Sequence, residues 1–453
     1  MELTHHTVSL KAFEPQWCRG LRADPQLLGD IHHAVGGPFH VLYPPRFAQN
    51  LRAFTEVIAA AGIPGQVYFA KKANKALCWL RECAHEGAGV DVASVPELTG
   101  ALGHGVRGAD IVVTGPAKSD ELLWLAARHD ALIAVDALDE LDRVIALGRG
   151  GLPARILLRV CPDVNPDSRF GLSFAELHTA AKMCRAEQPR VLMQGVSFHL
   201  NGYEVAPRAR LADQLIDLLL KCRTLGLPAT SLSIGGGFAV SYLDATTWTR
   251  FQHEHRDTDF HTGKTFTHFY PYHQSVTGAA MLAAILASPT ASGHKTLGDK
   301  LAHTRTTLLI EPGRALLDGA GVTVFPVQGF KRRADYGITT VAGLSMSLSE
   351  QWKSSEFLPD PALWPDYDAS TPVEVRSCVA GASCLEYDMI SWRKIGFTRE
   401  PRPGDLLIYP NTAGYQMDKN ESAFHDVPLP PKIVLTDAAG RFRWRLDRTS
   451  PHL

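Results

Sequence analysis

The chain has 453 residues, 45% hydrophobic and 21% charged, with 46 Lys+Arg against 47 Asp+Glu. These figures exclude a disordered chain, a collagen-like or coiled-coil fibre, and the broad basic field that nucleic acid or an anionic membrane would need. The length exceeds what one core usually serves and predicts two domains.

The opening Met1-Glu2-Leu3-Thr4-His5-His6 lacks a charged head followed by a long apolar run, so no secretory leader is expected. No apolar run approaches the length of a membrane span. Eight scattered cysteines form no C-x-x-C pair and no regular framework, which predicts a cytoplasmic protein with reduced thiols.

Residues 1–38 carry no clear period and are read as a segment joining the second domain. From residue 39 onward, short apolar runs alternate with helix-like stretches. Runs at 67–70, 110–114, 132–135, 155–160, 194–200, 231–234 and 307–310 predict strands, and stretches at 77–84, 121–128 and 140–147 predict helices. Strands alternating with helices argue for parallel β/α units. About eight units in roughly 270 residues suit a closed (β/α)8 barrel over residues 39–316 better than an open doubly wound sheet. No G-x-G-x-x-G follows the first strand, which weighs against a dinucleotide fold.

Residues 244–274 interrupt the pattern with a polar, aromatic stretch holding His253, His255, His261, His268 and His273. Imidazoles at short spacing can share a zinc, but no nearby cysteine completes a ligand set. The stretch is therefore read as an insertion in the barrel with surface histidines, and no metal is assigned. Further on, runs at 319–330, 338–346, 372–380, 405–409 and 433–445 predict strands with few helices between them. Residues 317–453 read as a second, mainly β, C-terminal domain.

The ends of barrel strands are where barrel chemistry is placed. In Tyr68-Phe69-Ala70-Lys71-Lys72-Ala73-Asn74, alternation puts Tyr68, Ala70, Lys72 and Asn74 on one face. If small Ala70 faces a crowded interior, Lys72 points inward and Lys71 points to the helical layer or to water. An inward lysine among apolar neighbours tends to lose its proton and can form a Schiff base. The alternative is a surface lysine pair. Gly235-Gly236-Gly237 lets backbone N–H groups converge on an anion, or is a plain flexible turn. In Glu311-Pro312-Gly313-Arg314 a guanidinium could clamp a phosphate and a carboxylate could hold a pyridinium; a structural salt bridge is the alternative. His199 reads as a stacking or acid–base group, or as a satisfied core histidine. Cys384, in the polar loop 381–388, reads as a proton donor or as inert packing.

Order and spacing join these signals. Ala70-Lys71-Lys72-Ala73-Asn74, Gly89-Val90-Asp91-Val92-Ala93-Ser94 with Glu97-Leu98, and Ser168-Arg169-Phe170-Gly171 are the best-matching stretches. His199, Gly235-Gly236-Gly237, Glu311-Pro312-Gly313-Arg314, the Cys384 loop with Asp388, and Ala413-Gly414-Tyr415 complete the set. With these motifs the chain, from residue 39 to its C-terminus, resembles the fold-type III pyridoxal-phosphate decarboxylases, the family of ornithine/arginine and diaminopimelate decarboxylases. The His-rich insertion marks a divergent branch.

The resemblance implies an alanine racemase-like pairing of barrel and β domain, pyridoxal 5'-phosphate as cofactor, and decarboxylation of an amino acid. It implies that Lys72 holds the cofactor, that Glu311 keeps its ring nitrogen protonated, and that His199 stacks on its face. Gly235, Gly236, Gly237, Gly313, Arg314 and Tyr415 would hold the phosphate, with Asp91 and Arg159 a supporting pair near the lysine. Cys384 would reach the partner subunit's site in a homodimer and protonate the product. No nucleic-acid or membrane partner is implied.

Three departures from the family pattern stand out, two bearing on the substrate and one on the phosphate. Leu385 stands where family members often carry an acidic residue; Glu386 follows and, with Asp388, is the candidate substrate contact. The R-P-x-Y stretch of diaminopimelate decarboxylases is missing from residues 344–349. The family's His-x-Gly-Ser turn reads His199-Leu200-Asn201-Gly202, without the phosphate-binding hydroxyl. The expected substrate is a diamino acid or a conjugated amino acid. The alternatives are a racemase or epimerase on the same cofactor, and a non-catalytic regulatory relative.

Overall fold

The computed structural model describes residues 7–163, 165–291, 293–348, 355–366, 375–418, 421–438 and 440–448. The opening hexapeptide, Ser349, and the first three residues of the strand expected at 372–380 lie outside the described residues. In chain order the strands are β1 (Phe39–Leu42), β2 (Gly65–Ala70), β3 (Gly89–Val92), β4 (Ile111–Val113), β5 (Leu132–Val135), β6 (Ala154–Arg159), β7 (Val191–Ser197), β8 (Ser231–Ser233), β9 (Thr307–Ile310), β10 (Gly321–Arg332), β11 (Gly337–Val341), β12 (Ala362–Trp364), β13 (Val375–Ala380), β14 (Met389–Phe397), β15 (Leu406–Tyr409), β16 (Lys432–Ala438) and β17 (Arg441–Leu446).

The chain divides into two compact units. One comprises Ala48–Ala239 and Val276–Leu316. In it β2 to β9 close an all-parallel barrel of eight strands, as the alternation of runs and helices predicts. Three of the helices between the strands start on serine caps: Ser94, Ser119 and Ser173 each accept a backbone N–H, and Ser173 with Glu176 forms a capping box. Tyr68, Val112, Leu132, Leu157 and Leu309 pack together inside the ring. Register does the rest. Asp91 pairs with Val112 and Ser233 with Leu309, while Arg159 and Glu311 lie two residues beyond Leu157 and Leu309. Alternation therefore carries Asp91, Arg159, Ser233 and Glu311 to the inner face at the C-terminal mouth.

β3 was not among the apolar runs, because Asp91 breaks a four-residue strand with a charge. Two helices, Gln16–Ala23 and Pro25–Val35, lie where no period is legible. They are short, and their buried side chains (Trp17, Cys18, Leu21, Leu28 and Ile31) are split by Asp24, whose carboxylate caps the second helix at Leu27 N, 3.0 Å away.

The second unit comprises Met1–Phe47, Val240–Ser275 and Leu317–Leu453. Its sheet runs β14-β13-β11-β10-β1-β16-β17, with β15 pairing β10 and β12. β1 lies between β10 and β16, so the boundary expected at residue 39 is corrected to residue 47. The run expected at 433–445 is a hairpin, β16 and β17. β14 escaped the reading because buried Ser391, Arg393 and Lys394 interrupt its apolar pattern.

The histidine-rich stretch belongs to this unit and not to the barrel, which corrects its expected place. It contains the helix Ala245–Glu254, and its aromatic residues form a packed cluster. Trp248 stacks on Phe251 at 5.6 Å, Phe251 stacks on His255 at 4.8 Å, and Tyr272 meets Phe357 at 5.9 Å. Tyr272 Oη donates to Glu356 O at 3.1 Å, and Phe260 bridges to Arg393 in β14. Burial of aromatic area tied this segment to the sheet, a driving force that a count of histidines does not register. No helix among the described residues is long and apolar enough to cross a membrane, and all eight cysteines are free thiols.

Candidate functional site at the barrel mouth

β2 ends at Ala70 and the chain turns through one 3-10 turn, Lys71–Ala73. Strand alternation therefore stops before Lys72, and the turn aims the two lysines. Lys71 is buried and its Nζ donates to Lys75 O at 2.9 Å. Lys72 is half exposed, and its Nζ lies 3.1 Å from Asp91 Oδ2. Asp91 is buried, and its other oxygen accepts from Thr114 Oγ1 at 2.5 Å. The amine thus meets a fixed carboxylate.

Glu311 follows β9 and is buried; Ser233 Oγ donates to its Oε1 at 2.7 Å. Burial, and then the negative charge of Asp91, push its pKa from 4.5 up to about 7, against the opposing pull of Lys72 and Arg159. Glu311, Asp91, Lys72 and Arg159 thus lie within electrostatic reach of one another. Behind Ser233 comes the glycine run. Gly235 and Gly237 take φ of +65° and +79°. A Cβ on Gly235 would sit 2.7 Å from His199 Nδ1, and one on Gly236 would sit 2.6 Å from Glu311 O. Any larger residue would drive the run off its neighbours. Gly236 N–H donates to His199 Nδ1 at 3.3 Å. His199 Nδ1 is then the acceptor and Nε2 carries the proton. Burial first, then the positive charges of Lys72, Arg159 and Arg208, depress its pKa to about 3, so the ring is neutral at physiological pH.

Arg159 Nη1 meets Asp136 Oδ1 at 3.1 Å. Asp136 is fixed in turn, its N–H donating to Glu140 Oε2 at 2.8 Å, and Glu140 pairs with buried Lys118 at 3.0 Å. The guanidinium carbons of Arg159 and Arg169 lie 4.3 and 4.4 Å from the Phe170 ring, clamping the loop that follows β6. A cavity of about 700 Å³ opens beside these groups, lined by Arg159, Asp167, Arg169, Phe170, His199 and Arg208 among others. Arg208 is buried and donates to the carbonyls of Leu200, Gly202 and Glu204, so it holds the turn that lost its hydroxyl. Arg314 is buried in the loop after β9, and Gly313 O accepts from Leu316 N at 3.1 Å in the same loop. Asp136, Thr114, Ser233 and Arg208 were missed from sequence. The first three follow barrel strands or lie in them, where alternation from Ala134, Val112 and Ser231 points to them; Arg208 had no signal.

In the other unit Cys384 is exposed, with its Sγ 3.2 Å from His425 Nε2. Glu386 is exposed as well. Asp388 is buried and accepts Ser345 N–H at 2.8 Å and Ser383 N–H at 3.1 Å, so its carboxylate ties down the Cys384 loop. Tyr415 takes φ of +76° in the turn after β15, and its carbonyl accepts from Asp418 N at 3.2 Å. Of the histidines in the inserted stretch, His261 Nδ1 bonds Tyr336 Oη at 2.8 Å and His273 Nδ1 bonds Ser241 Oγ at 3.1 Å. They serve packing and are not gathered into a ligand set.

The barrel mouth offers an amine, a buried carboxylate with high proton affinity, a neutral imidazole face and a glycine cradle that any Cβ would fill. That donor set fits a molecule bearing an aldehyde, a pyridine nitrogen, an aromatic face and a phosphate. The model of the pyridoxal-dependent decarboxylase pyridoxal-binding domain matches residues 46–277. Over 424 residues the chain is 37% identical to the uncharacterized protein y4yA of Sinorhizobium fredii, covering 92% of this chain and 91% of that one. Over 426 residues it is 27% identical to the diaminopimelate decarboxylase of Actinosynnema pretiosum, covering 90% and 85%. The solved diaminopimelate decarboxylase of M. jannaschii, in complex with L-lysine, shares the fold with a TM-score of 0.73 at 19% identity over 93% of this chain and 91% of that one. With just over half its length matched by the family model, and a 37% identical relative spanning nearly all of it, the chain belongs to the pyridoxal-dependent decarboxylases and is an amino acid decarboxylase that uses pyridoxal 5'-phosphate.

Proposed function

We propose that the enzyme removes the α-carboxylate of an amino acid carrying a second polar or charged centre, a diamino acid or a conjugated amino acid. The observation that carries this is Lys72 Nζ held 3.1 Å from Asp91 at the mouth of the barrel, in the neighbourhood of Glu311, His199 and Arg159. When bound, the cofactor supplies an electron sink for the pair left by the departing carboxylate. Lys72 would anchor the cofactor, with Asp91 orienting the amine. Glu311 would serve its ring nitrogen, whose positive charge would favour the ionised carboxylate. His199 would offer it an uncharged ring. Gly235, Gly236, Gly237, Gly313, Arg314 and Tyr415 take the phosphate, and Arg159 braces the mouth through Asp136. The protein's part is orientation and fixed electrostatics.

Cys384 is the acid that delivers a proton to Cα; its S–H bond breaks as the C–H bond forms. Two copies pair so that Cys384 and Tyr415 of one complete the barrel site of the other. Exposed Leu385, Tyr387 and Phe424 near Cys384 support a covered interface here. Glu386 is the contact for the substrate's far amino group, and Asp388 acts through the loop it ties down. Eight free thiols support a cytoplasmic home. Relatives named for diaminopimelate set the first substrate to try. The test is to incubate the holoenzyme with L- and D-diamino acids and their conjugates, following CO2 and amine by mass spectrometry. Equimolar CO2 and amine from one of them is expected. Inversion of chirality without CO2 would overturn the reading.

A further inference from the structure

We infer that His425 is the proton partner of Cys384, a positioning residue that acts through the thiol. The inference rests on the reading of Cys384 as the acid. Cys384 Sγ and His425 Nε2 lie 3.2 Å apart across 41 residues of sequence. His425 sits in the turn Phe424–Asp426 at φ of +59°, with its ring 4.2 Å from that of Phe424. Within one chain the imidazole lies at the surface beside the sulfur, on the face proposed to meet the second copy. Among the described residues, charged groups close in the chain to the pair include Asp388, held by Ser345 and Ser383 N–H, Glu386, and Asp426.

The proton moves in two steps. The Sγ–H bond breaks as a C–H bond forms at Cα, leaving a thiolate. The protonated ring of His425 then gives its Nε2 proton to Sγ, and the neutral ring takes up one proton from the solvent pool, the proton that each decarboxylation consumes. The next turnover starts with a loaded acid.

Thiolate, not thiol, is alkylated. Cys384 in the holoenzyme is labelled with iodoacetamide between about pH 5 and about pH 9, and its peptide is quantified by mass spectrometry. The labelling rate is expected to depend on pH through His425. His425→Asn, chosen because asparagine tolerates positive φ, should change that profile and lower the rate at about pH 7 roughly fivefold. The same variant should alter the turnover pH profile while the cofactor's absorption spectrum stays unchanged. An alkylation profile unchanged in His425→Asn overturns the inference and leaves Cys384 as the acid. Full activity in Cys384→Ala, even where labelling of Cys384 in the parent depends on His425, overturns the relay by removing the acid it serves.

Discussion

Glu311→Gln tests the electrostatics of the barrel mouth in a quantity independent of turnover. Burial and Asp91 raise the Glu311 pKa from 4.5 to about 7, so the folded protein binds this proton more tightly than the unfolded chain does. The stability brought by that proton is complete below about pH 4.5 and is lost as pH rises through about 7. Above that range the ionised carboxylate costs on the order of 3 kcal/mol in the cofactor-free protein. Glutamine has nearly the same shape and cannot ionise, and its amide oxygen can still accept from Ser233 Oγ. Cofactor-free Glu311→Gln should therefore be more stable than the parent by about 2–3 kcal/mol at about pH 8, and within about 1 kcal/mol of it at about pH 5. Urea unfolding at the two pH values reads both numbers. A variant no more stable than the parent at the higher pH would refute the argument. The same variant should bind pyridoxal phosphate more weakly, because it offers the ring nitrogen no charge.

Lys72→Ala should abolish the visible band of the lysine-bound cofactor; a variant that keeps the parent's band would remove Lys72 from its assigned role. Gly236→Ala places a Cβ 2.6 Å from Glu311 O, a backbone atom that cannot swing away, and should cost about 1–3 kcal/mol by urea unfolding. A loss below about 0.5 kcal/mol would show that the cradle yields. His199, with its pKa near 3, should stay neutral and protonated at Nε2 down to about pH 5 in nitrogen NMR, and an imidazolium signal at about pH 6 would contradict the hydrogen bond from Gly236.

Much of the barrel was legible because its strands are buried on both faces and read as continuous apolar runs: residues 132–135 and 307–310 coincide with β5 and β9. β3 was lost for the converse reason, since its middle residue is Asp91. Strand ends marked the site. Yet alternation through Lys72 rested on a strand that stops two residues earlier, and the partners of Lys72 and Arg159 come from neighbouring strands distant in sequence. Charged interiors hid β14, and aromatic packing drew the histidine-rich stretch to the β unit.

By itself the sequence determined what is local and repeated: strand and helix alternation, glycines that permit positive φ, and an amine, an acid and an imidazole near strand ends. Only the tertiary structure decided which of them meet. Closing the ring sets the register that brings Asp91 to Lys72 and Ser233 to Glu311, and burial then sets their charge states. Neither register nor burial is a property of a short stretch of chain, because both arise only when strands far apart in sequence are hydrogen-bonded side by side.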